Sequence, residues 1–306
     1  MSSTVLAPFT ARDGENLALY EWPLDAWIEE MGDDAPPPRA VVLLVHGLGE
    51  HASRYEHVAR QLMDWGFAVR AYDQRGHGES GGARGVLPCE SALLDDLAEV
   101  VDDTRLRCLR LPRLVNFTDA ASQQLPLILL GHSLGGLVVS HFVALNKRPI
   151  EGLVMCSPAL DAGLSHFQKC LLALTPRFAH KFSMGNGLDS RYISHDARVV
   201  SAYQADPLVH DRISASLGRF IANAGPATIA AAARWHTPTL LMYAGNDRLV
   251  NPAGSRRFAQ AAAESPQVRA GTVTARCFDD LYHEVLNELH PADVFDTLRV
   301  WLDARF

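Results

Sequence analysis

Gly131-His132-Ser133-Leu134-Gly135 sets a serine between two glycines, with the apolar run Leu127 to Leu130 before it and Leu137 to Val139 after it. The pattern predicts a strand, a tight turn and a helix. In so sharp a turn, the backbone at Gly131 and Gly135 comes too close to its neighbours for a Cβ. Ser133 is then left at the tip with its hydroxyl free. The first N–H groups of the helix have no intrahelical acceptor, and its dipole favours negative charge there. That environment suits the oxyanion formed when a hydroxyl adds to an ester carbonyl. Average composition gives about one chance G-x-S-x-G per ten chains of this length, so the weight rests on the strand-turn-helix setting.

A serine at neutral pH needs an imidazole to take its proton and a carboxylate to orient that imidazole. With 13 histidines, composition does not choose among them, but position does. His283 follows the run Val273 to Phe278, and Asp247 lies in the turn Ala244 to Val250, after Thr239 to Tyr243. The resulting order, Ser133, Asp247, His283, is that of a triad on an α/β sheet. Taken alone, Asp247 reads equally as a turn or helix cap, and Asp279 and Asp280 are the other carboxylates to consider. Taken alone, His283 reads as a surface or hydrogen-bonded core histidine. The oxyanion needs main-chain donors, and the glycines of His46-Gly47-Leu48-Gly49-Glu50-His51 let an amide turn toward the serine. The expected donors are the N–H groups of Leu48 and Leu134. His46 and the tract Asp73 to Ser80 read as structural, bracing neighbouring loops.

Short apolar runs supply the elements that hold these loops. Ala40 to Val45, Phe67 to Tyr72, Leu127 to Leu130, Leu153 to Cys156, Thr239 to Tyr243 and Val273 to Phe278 read as strands, with Leu17 to Trp22 as an edge strand. Tyr55 to Trp65, Leu93 to Leu109 and Asp293 to Phe306 have helical spacing. The alternation predicts an α/β fold, a mostly parallel sheet covered by helices on both faces. Ligands then bind beyond the carboxyl ends of the strands. Between Pro158 and Pro238 no convincing strand is read, while Leu164 to Leu174 and Ile213 to Ala233 carry helical patterns. The expected division is a core of residues 1–157 and 237–306 with an inserted α-helical lid of residues 158–236 over Ser133.

The net charge of −7 argues against nucleic acid as a partner, because no basic field exists to neutralise phosphates. The N-terminus lacks the basic and apolar regions of a signal peptide, and no apolar run is long enough to span a bilayer. Five cysteines with no C-x-x-C pair indicate neither a zinc site nor a disulfide framework, pointing to reduced thiols in a cytoplasmic protein. No metal and no cofactor is expected. The oligomeric state is not read from the sequence.

His46 to His51 with Arg54-Tyr55, Asp73 to Ser80, Gly131 to Gly136, Gly245-Asn246-Asp247 with Val250, Tyr282-His283-Glu284 and Ala202 to His210 together resemble the α/β-hydrolase superfamily. Within it they resemble the monoacylglycerol lipase and lysophospholipase group. The resemblance implies the α/β-hydrolase fold, Ser133, Asp247 and His283 as triad, and Leu48 and Leu134 as oxyanion donors. It also implies that Glu50 and Arg54 hold the glycerol end of a substrate, although both read nearly as well as braces of the oxyanion loop. Trp22 to Arg39 and Leu111 to Gln124 stand out as local expansions. The expected substrate is a small-molecule acyl ester or lipid. Leu164, Phe167, Leu171, Leu172, Leu174 and Phe178 of the lid are expected to pack mostly on the core. The remainder would line an acyl tunnel or rest peripherally on a membrane. A short-chain carboxylesterase, a carbon–carbon bond hydrolase and an aminopeptidase share the same triad. A dehalogenase or epoxide hydrolase would need an acid where Ser133 stands. An inactive hydrolase-like binding protein would be expected to lose a triad member or a glycine, and none is lost.

Overall fold

The computed structural model describes residues 4–5, 9–22, 38–108, 125–163 and 183–306. Its strands are β1 (Thr4–Val5), β2 (Phe9–Thr10), β3 (Asn16–Leu17), β4 (Leu19–Glu21), β5 (Val41–Val45), β6 (Ala68–Tyr72), β7 (Leu127–His132), β8 (Gly152–Cys156), β9 (Ser183–Gly185), β10 (Arg212–Ser214), β11 (Thr239–Ala244) and β12 (Val273–Phe278). Its α-helices are α1 (Glu56–Asp64), α2 (Ala92–Cys108), α3 (Leu134–Ala144), α4 (Ala197–Ala205), α5 (Ala215–Ala231), α6 (Ala253–Glu264) and α7 (Ala292–Asp303). The lid helix expected over Leu164 to Leu174, Phe178, and the expansion Leu111 to Gln124 lie outside the described residues, as does most of Trp22 to Arg39.

The main sheet runs in the order β1-β4-β6-β5-β7-β8-β11-β12. β1 and β4 join antiparallel at one end, and every pair from β6 to β12 is parallel. Side chains alternate between two cores because strand residues point to opposite faces. Leu43, Val45, Leu129 and Met155 meet α2, α3, α5 and α6 on one side. Val42, Leu44, Ile128, Leu130 and Val154 meet α1 and α7 on the other. Both faces being covered is why these strands read as unbroken apolar runs. Burying each such side chain contributes about 1.5–3 kcal/mol.

The connections are short and specified locally. α1 buries Val58, Ala59 and Leu62 and stops at Gly66, whose φ of +85° favours glycine. There Gly66 N–H donates to Met63 O at 2.8 Å and Phe67 N–H to Leu62 O at 3.0 Å, a Schellman ending that feeds the chain into β6. The register sets Val45 beside Gly131, His132 beside Cys156 and Ala244 beside Phe278. All five loops that leave these carboxyl ends therefore emerge along one edge.

Two expectations are corrected. Leu17 to Trp22 is not an edge strand: Thr4–Val5 pairs outside β4, and Leu19 and Tyr20 are buried in opposite cores. The interval from Pro158 to Pro238 does contain strands, since β9 and β10 form an antiparallel ribbon. Three residues each are too short to show a period. The helical pattern from Ile213 appears as α5, which packs Leu217, Phe220, Ile221 and Ala224 into the same core as α3. Among the described residues, no helix is long and apolar enough to cross a membrane.

Candidate active site

Ser133 stands at the end of β7 with φ of +53° and ψ of −117°, a conformation that costs about 1–3 kcal/mol for a residue with a side chain. The surroundings hold it there. Its N–H donates to Cys156 O at 3.0 Å, and its carbonyl accepts Leu137 N–H at 3.0 Å and Ala159 N–H at 2.9 Å. A Cβ on Gly131 would lie 2.5 Å from Gly135 O, and one on Gly135 would lie 2.0 Å from Val45 O. The expected steric reason for both glycines is thus met by backbone atoms that cannot move aside.

His283 and Asp247 are delivered by the loops after β12 and β11. Gly245 N–H donates to Phe278 O at 2.8 Å, and a Cβ on Gly245 would meet Asp279 Cα at 2.6 Å, so the two loops press together. His283 Nδ1 lies 2.6 Å from Asp247 Oδ2, while Asp247 Oδ1 accepts the N–H groups of Leu249 and Val250 at 2.8 and 3.0 Å. Burial alone would raise the Asp247 pKa, but the charge and hydrogen bond of His283, with the two amides, outweigh it. They hold the carboxyl below the usual carboxylate range. Burial alone would lower the His283 pKa, and Asp247 outweighs it, leaving the imidazole above its ordinary value. Asp279 and Asp280 are exposed and do not pair with His283.

Ser133 and His283 line one cavity of about 260 Å³. No side-chain hydrogen bond joins them among the described residues, as is common before substrate draws such contacts together. His132 also lines this cavity, with its ring centroid 4.7 Å from that of His283. Burial and the neighbouring His283 charge press its pKa down to about 4, so it is neutral at pH 7. Sequence reasoning missed it because its neighbour in the motif, Ser133, drew all the weight.

The loop after β5 lies against the serine, where a Cβ on Gly47 would stand 3.2 Å from Ser133 Cβ. Gly47 N–H is already committed to Glu50 Oε1 at 2.6 Å, whereas neither Leu48 N–H nor Leu134 N–H has a partner among the described residues. His46 Nε2 accepts the Gln74 N–H at 2.8 Å, which leaves the proton on Nδ1 to donate to Gly47 O at 2.8 Å. His46 is thus a neutral brace, its pKa lowered by burial. Asp73 braces from below, accepting Ala52 N–H, Tyr20 O–H and Glu79 N–H.

Glu50 and Arg54 belong to the same scaffold. Glu50 Oε1 also accepts Tyr55 O–H at 2.7 Å, and Oε2 pairs with Arg54 Nη1. Arg54 grips Glu284 bidentately at 2.8 and 2.8 Å and lies over the Tyr203 ring at 4.8 Å. Glu50 lines the cavity and Arg54 does not. Burial opposes the Glu50 charge, but Arg54 outweighs it and keeps the carboxyl ionised. Glu284, beside His283, is the partner that sequence reasoning had not assigned, because 230 residues separate it from Arg54.

The stretch from Asn186 to Asp211 walls the opposite side of the cavity with Leu188, Ser190, Ile193, Tyr203, Asp206 and His210. It is tied to the oxyanion loop by His51 Nε2 to Asp206 Oδ2 at 2.8 Å and His210 N–H to Gly49 O at 2.9 Å. Gly49 has φ of +79°, and a Cβ there would lie 2.2 Å from His210 O.

The chain is similar to known proteins in sequence and fold. A family model described as serine aminopeptidase, S33 matches residues 36–290. The chain is 35% identical over 268 residues to a monoacylglycerol lipase of Mycolicibacterium smegmatis, covering 87% of this chain and 88% of that protein. It is 27% identical over 274 residues to the monoglyceride lipase of Homo sapiens, covering 88% and 84%. Among solved structures it is similar to the Paleococcus ferrophilus monoacylglycerol lipase, with a TM-score of 0.74 and 30% identity over 89% of this chain and 97% of that one. With the family model spanning most of its length, and a relative 35% identical along nearly all of both sequences, the chain belongs to the serine aminopeptidase S33 family of α/β-hydrolases.

Proposed function

We propose that this protein is a serine carboxylic-ester hydrolase that cleaves monoacylglycerols through an acyl-enzyme, with Ser133 as nucleophile, His283 as general base and Asp247 as its orienting carboxylate. The observation that carries the reading is that His283, held 2.6 Å from Asp247, lines the same cavity as a strained Ser133. Asp247 holds the Nδ1 proton, so Nε2 is free to take the serine proton. Ser133 Oγ then adds to the ester carbonyl, and the carbonyl oxygen takes up negative charge. The unpartnered N–H groups of Leu48 and Leu134 receive that charge. Collapse of the adduct breaks the bond to the alcohol oxygen, which leaves with the proton from His283. Water repeats the sequence on the acyl-serine and releases the acid. Residues 158–236 act as the lid, and exposed Met184 and Leu188 on it contact a lipid surface peripherally.

Monoacylglycerol is the favoured substrate because three similar proteins carry that activity in their names and the lining offers polar groups for a glycerol. Glu50 lines the cavity and is the group placed to meet a glycerol hydroxyl, while Arg54, which pairs with it and does not line the cavity, acts as a strut. The test is Ser133→Ala, expected to abolish fluorophosphonate labelling and reduce monoacylglycerol hydrolysis by several orders of magnitude, with the circular dichroism unchanged. Labelling that survives the substitution removes the assignment. A second reading, an aminopeptidase, is favoured by one observation: Glu50, Asp206, Asp211 and Glu284 put four carboxylates around the cavity, and such a lining suits an ammonium group. Amino-acid p-nitroanilides hydrolysed faster than monoacylglycerols decide for it.

A further inference from the structure

The loop that carries His283 is fastened from outside by the segment that walls the cavity. Glu288 has an almost wholly buried side chain. Its Oε1 accepts the Tyr282 N–H at 2.6 Å and the His195 ring Nδ1–H at 2.9 Å. Its Oε2 accepts the backbone N–H of His195 at 3.1 Å and of Leu289 at 3.4 Å. The His195 ring stacks on Tyr282 with centroids 3.6 Å apart and planes 19° apart. Tyr282 also meets Tyr192, edge-on at 5.7 Å, and Arg248, whose guanidinium stands 5.6 Å from the Tyr282 ring and 4.8 Å from that of Tyr192. Two further bonds continue the seam: Glu284 N–H to Ile193 O at 2.8 Å and Ser194 O–H to Asn287 O at 2.8 Å.

A carboxylate is costly to bury, and among the described residues this one is satisfied by donors from two loops distant in sequence. Tyr282 and Arg248 are the immediate neighbours of His283 and Asp247. The clamp therefore grips both halves of the Asp247–His283 pair one residue away from the groups that react. We infer that Glu288, together with His195, is a positioning residue that sets His283 against Asp247 and Ser133, acting through Tyr282. This role rests on His283 being the general base. It makes the segment around residues 193–195 part of the catalytic framework, so that this part of the wall and the base loop move together.

Three variants separate positioning from mere stability. Glu288→Gln keeps an oxygen for Tyr282 N–H but turns an amide toward His195. Glu288→Ala removes every bond. His195→Phe keeps the stack and loses the Nδ1–H bond at a side chain open to solvent. With p-nitrophenyl acetate, which needs no extended pocket, misplacing a reacting group by about 1 Å costs up to about a hundredfold in rate. We expect kcat to fall by about that much in Glu288→Ala, about tenfold in Glu288→Gln and about threefold in His195→Phe, with KM within about twofold of wild type. The acid limb of kcat/KM against pH is the decisive reading. The groups facing His283 are Asp247, Glu284, Glu50 and the ring of His132; burial lowers its pKa, and Asp247 lifts it most, with Glu284 and Glu50 adding to the rise. Loosened from Asp247, the imidazole loses the largest influence that raises its pKa, so the limb moves to lower pH. A rate loss with an unmoved limb, or wild-type kinetics in folded Glu288→Gln and His195→Phe, overturns the inference. If the Glu288 variants do not fold, His195→Phe alone decides. Failure of the functional reading is distinguishable, because hydrolysis would then survive Ser133→Ala or His283→Ala.

Discussion

Asp247 is the residue whose effect on rate separates orientation from binding. In Asp247→Asn the amide can donate to Nδ1, which leaves the imidazole proton on Nε2, where Ser133 needs an acceptor. The expected fall in kcat is about 10⁴-fold with KM little changed, as for the equivalent change in other serine triads, and steady-state kinetics on p-nitrophenyl butyrate checks it. A loss of less than about tenfold, given that range, moves the role to another carboxylate. The raised pKa of His283 gives a second outcome. Only the neutral imidazole accepts the serine proton, so kcat/KM is full above the His283 pKa and lost as pH falls through it. The half-point of the acid limb is expected above the usual imidazole value of about 6.5. A half-point below that value contradicts the Asp247–His283 coupling. His132 does not contribute to this limb between pH 5 and 8, its own pKa having been driven down to about 4.

At the scale of elements, the Glu50–Arg54–Glu284 bridge joins the start of α1 to the loop after β12. Removing the guanidinium in Arg54→Ala leaves two buried carboxylates facing each other, a change that typically costs about 3–5 kcal/mol. Because the bridge holds Gly47 on one side and the neighbour of His283 on the other, monoacylglycerol and p-nitrophenyl butyrate should lose kcat/KM by similar factors. Denaturant melts and paired kinetics check this. A loss confined to monoacylglycerol returns Arg54 to the substrate. Much at this scale was legible. Ala40 to Val45 differs from β5 by one residue, because double-sided burial leaves an apolar run that nothing else explains, and Val273 to Phe278 is the strand expected although it lies at the sheet edge with most of its residues exposed or half-buried. β1, β9 and β10 were not legible, since two or three residues have no period and their pairing partners lie far along the chain. Likewise Ser133, Asp247 and His283 could be singled out as candidates because each follows a strand legible in the sequence. Glu284 and Glu288 could not be assigned partners, for the chain gives no local sign that Arg54 and His195 return to meet them.

For the molecule as a whole, charge sets what can approach the site. The chain carries a net −7, and the cavity wall holds Glu50, Asp206, Asp211 and Glu284 with no lysine or arginine among its described residues. A phosphate held about 10 Å from one such carboxylate costs about 1.5 kcal/mol at an effective dielectric near 20, roughly tenfold in rate. A monoacylglycerol is therefore expected to be cleaved at least about tenfold faster than its phosphate ester, with the gap narrowing as salt is added. Equal rates for the two at low ionic strength would show that the carboxylates do not face the head group. The contact at Gly49 has a different kind of consequence. The His210 carbonyl occupies the space where any side chain at position 49 would begin, and the same two residues are joined by a main-chain hydrogen bond. In a programme of directed evolution, position 49 is therefore closed to all nineteen alternatives, whereas Leu188, Ser190 and Gln204 offer side chains to the same cavity and can be varied. Libraries meant to change which alcohol is accepted should be built on those three and should leave the Gly49 contact between loop and wall untouched.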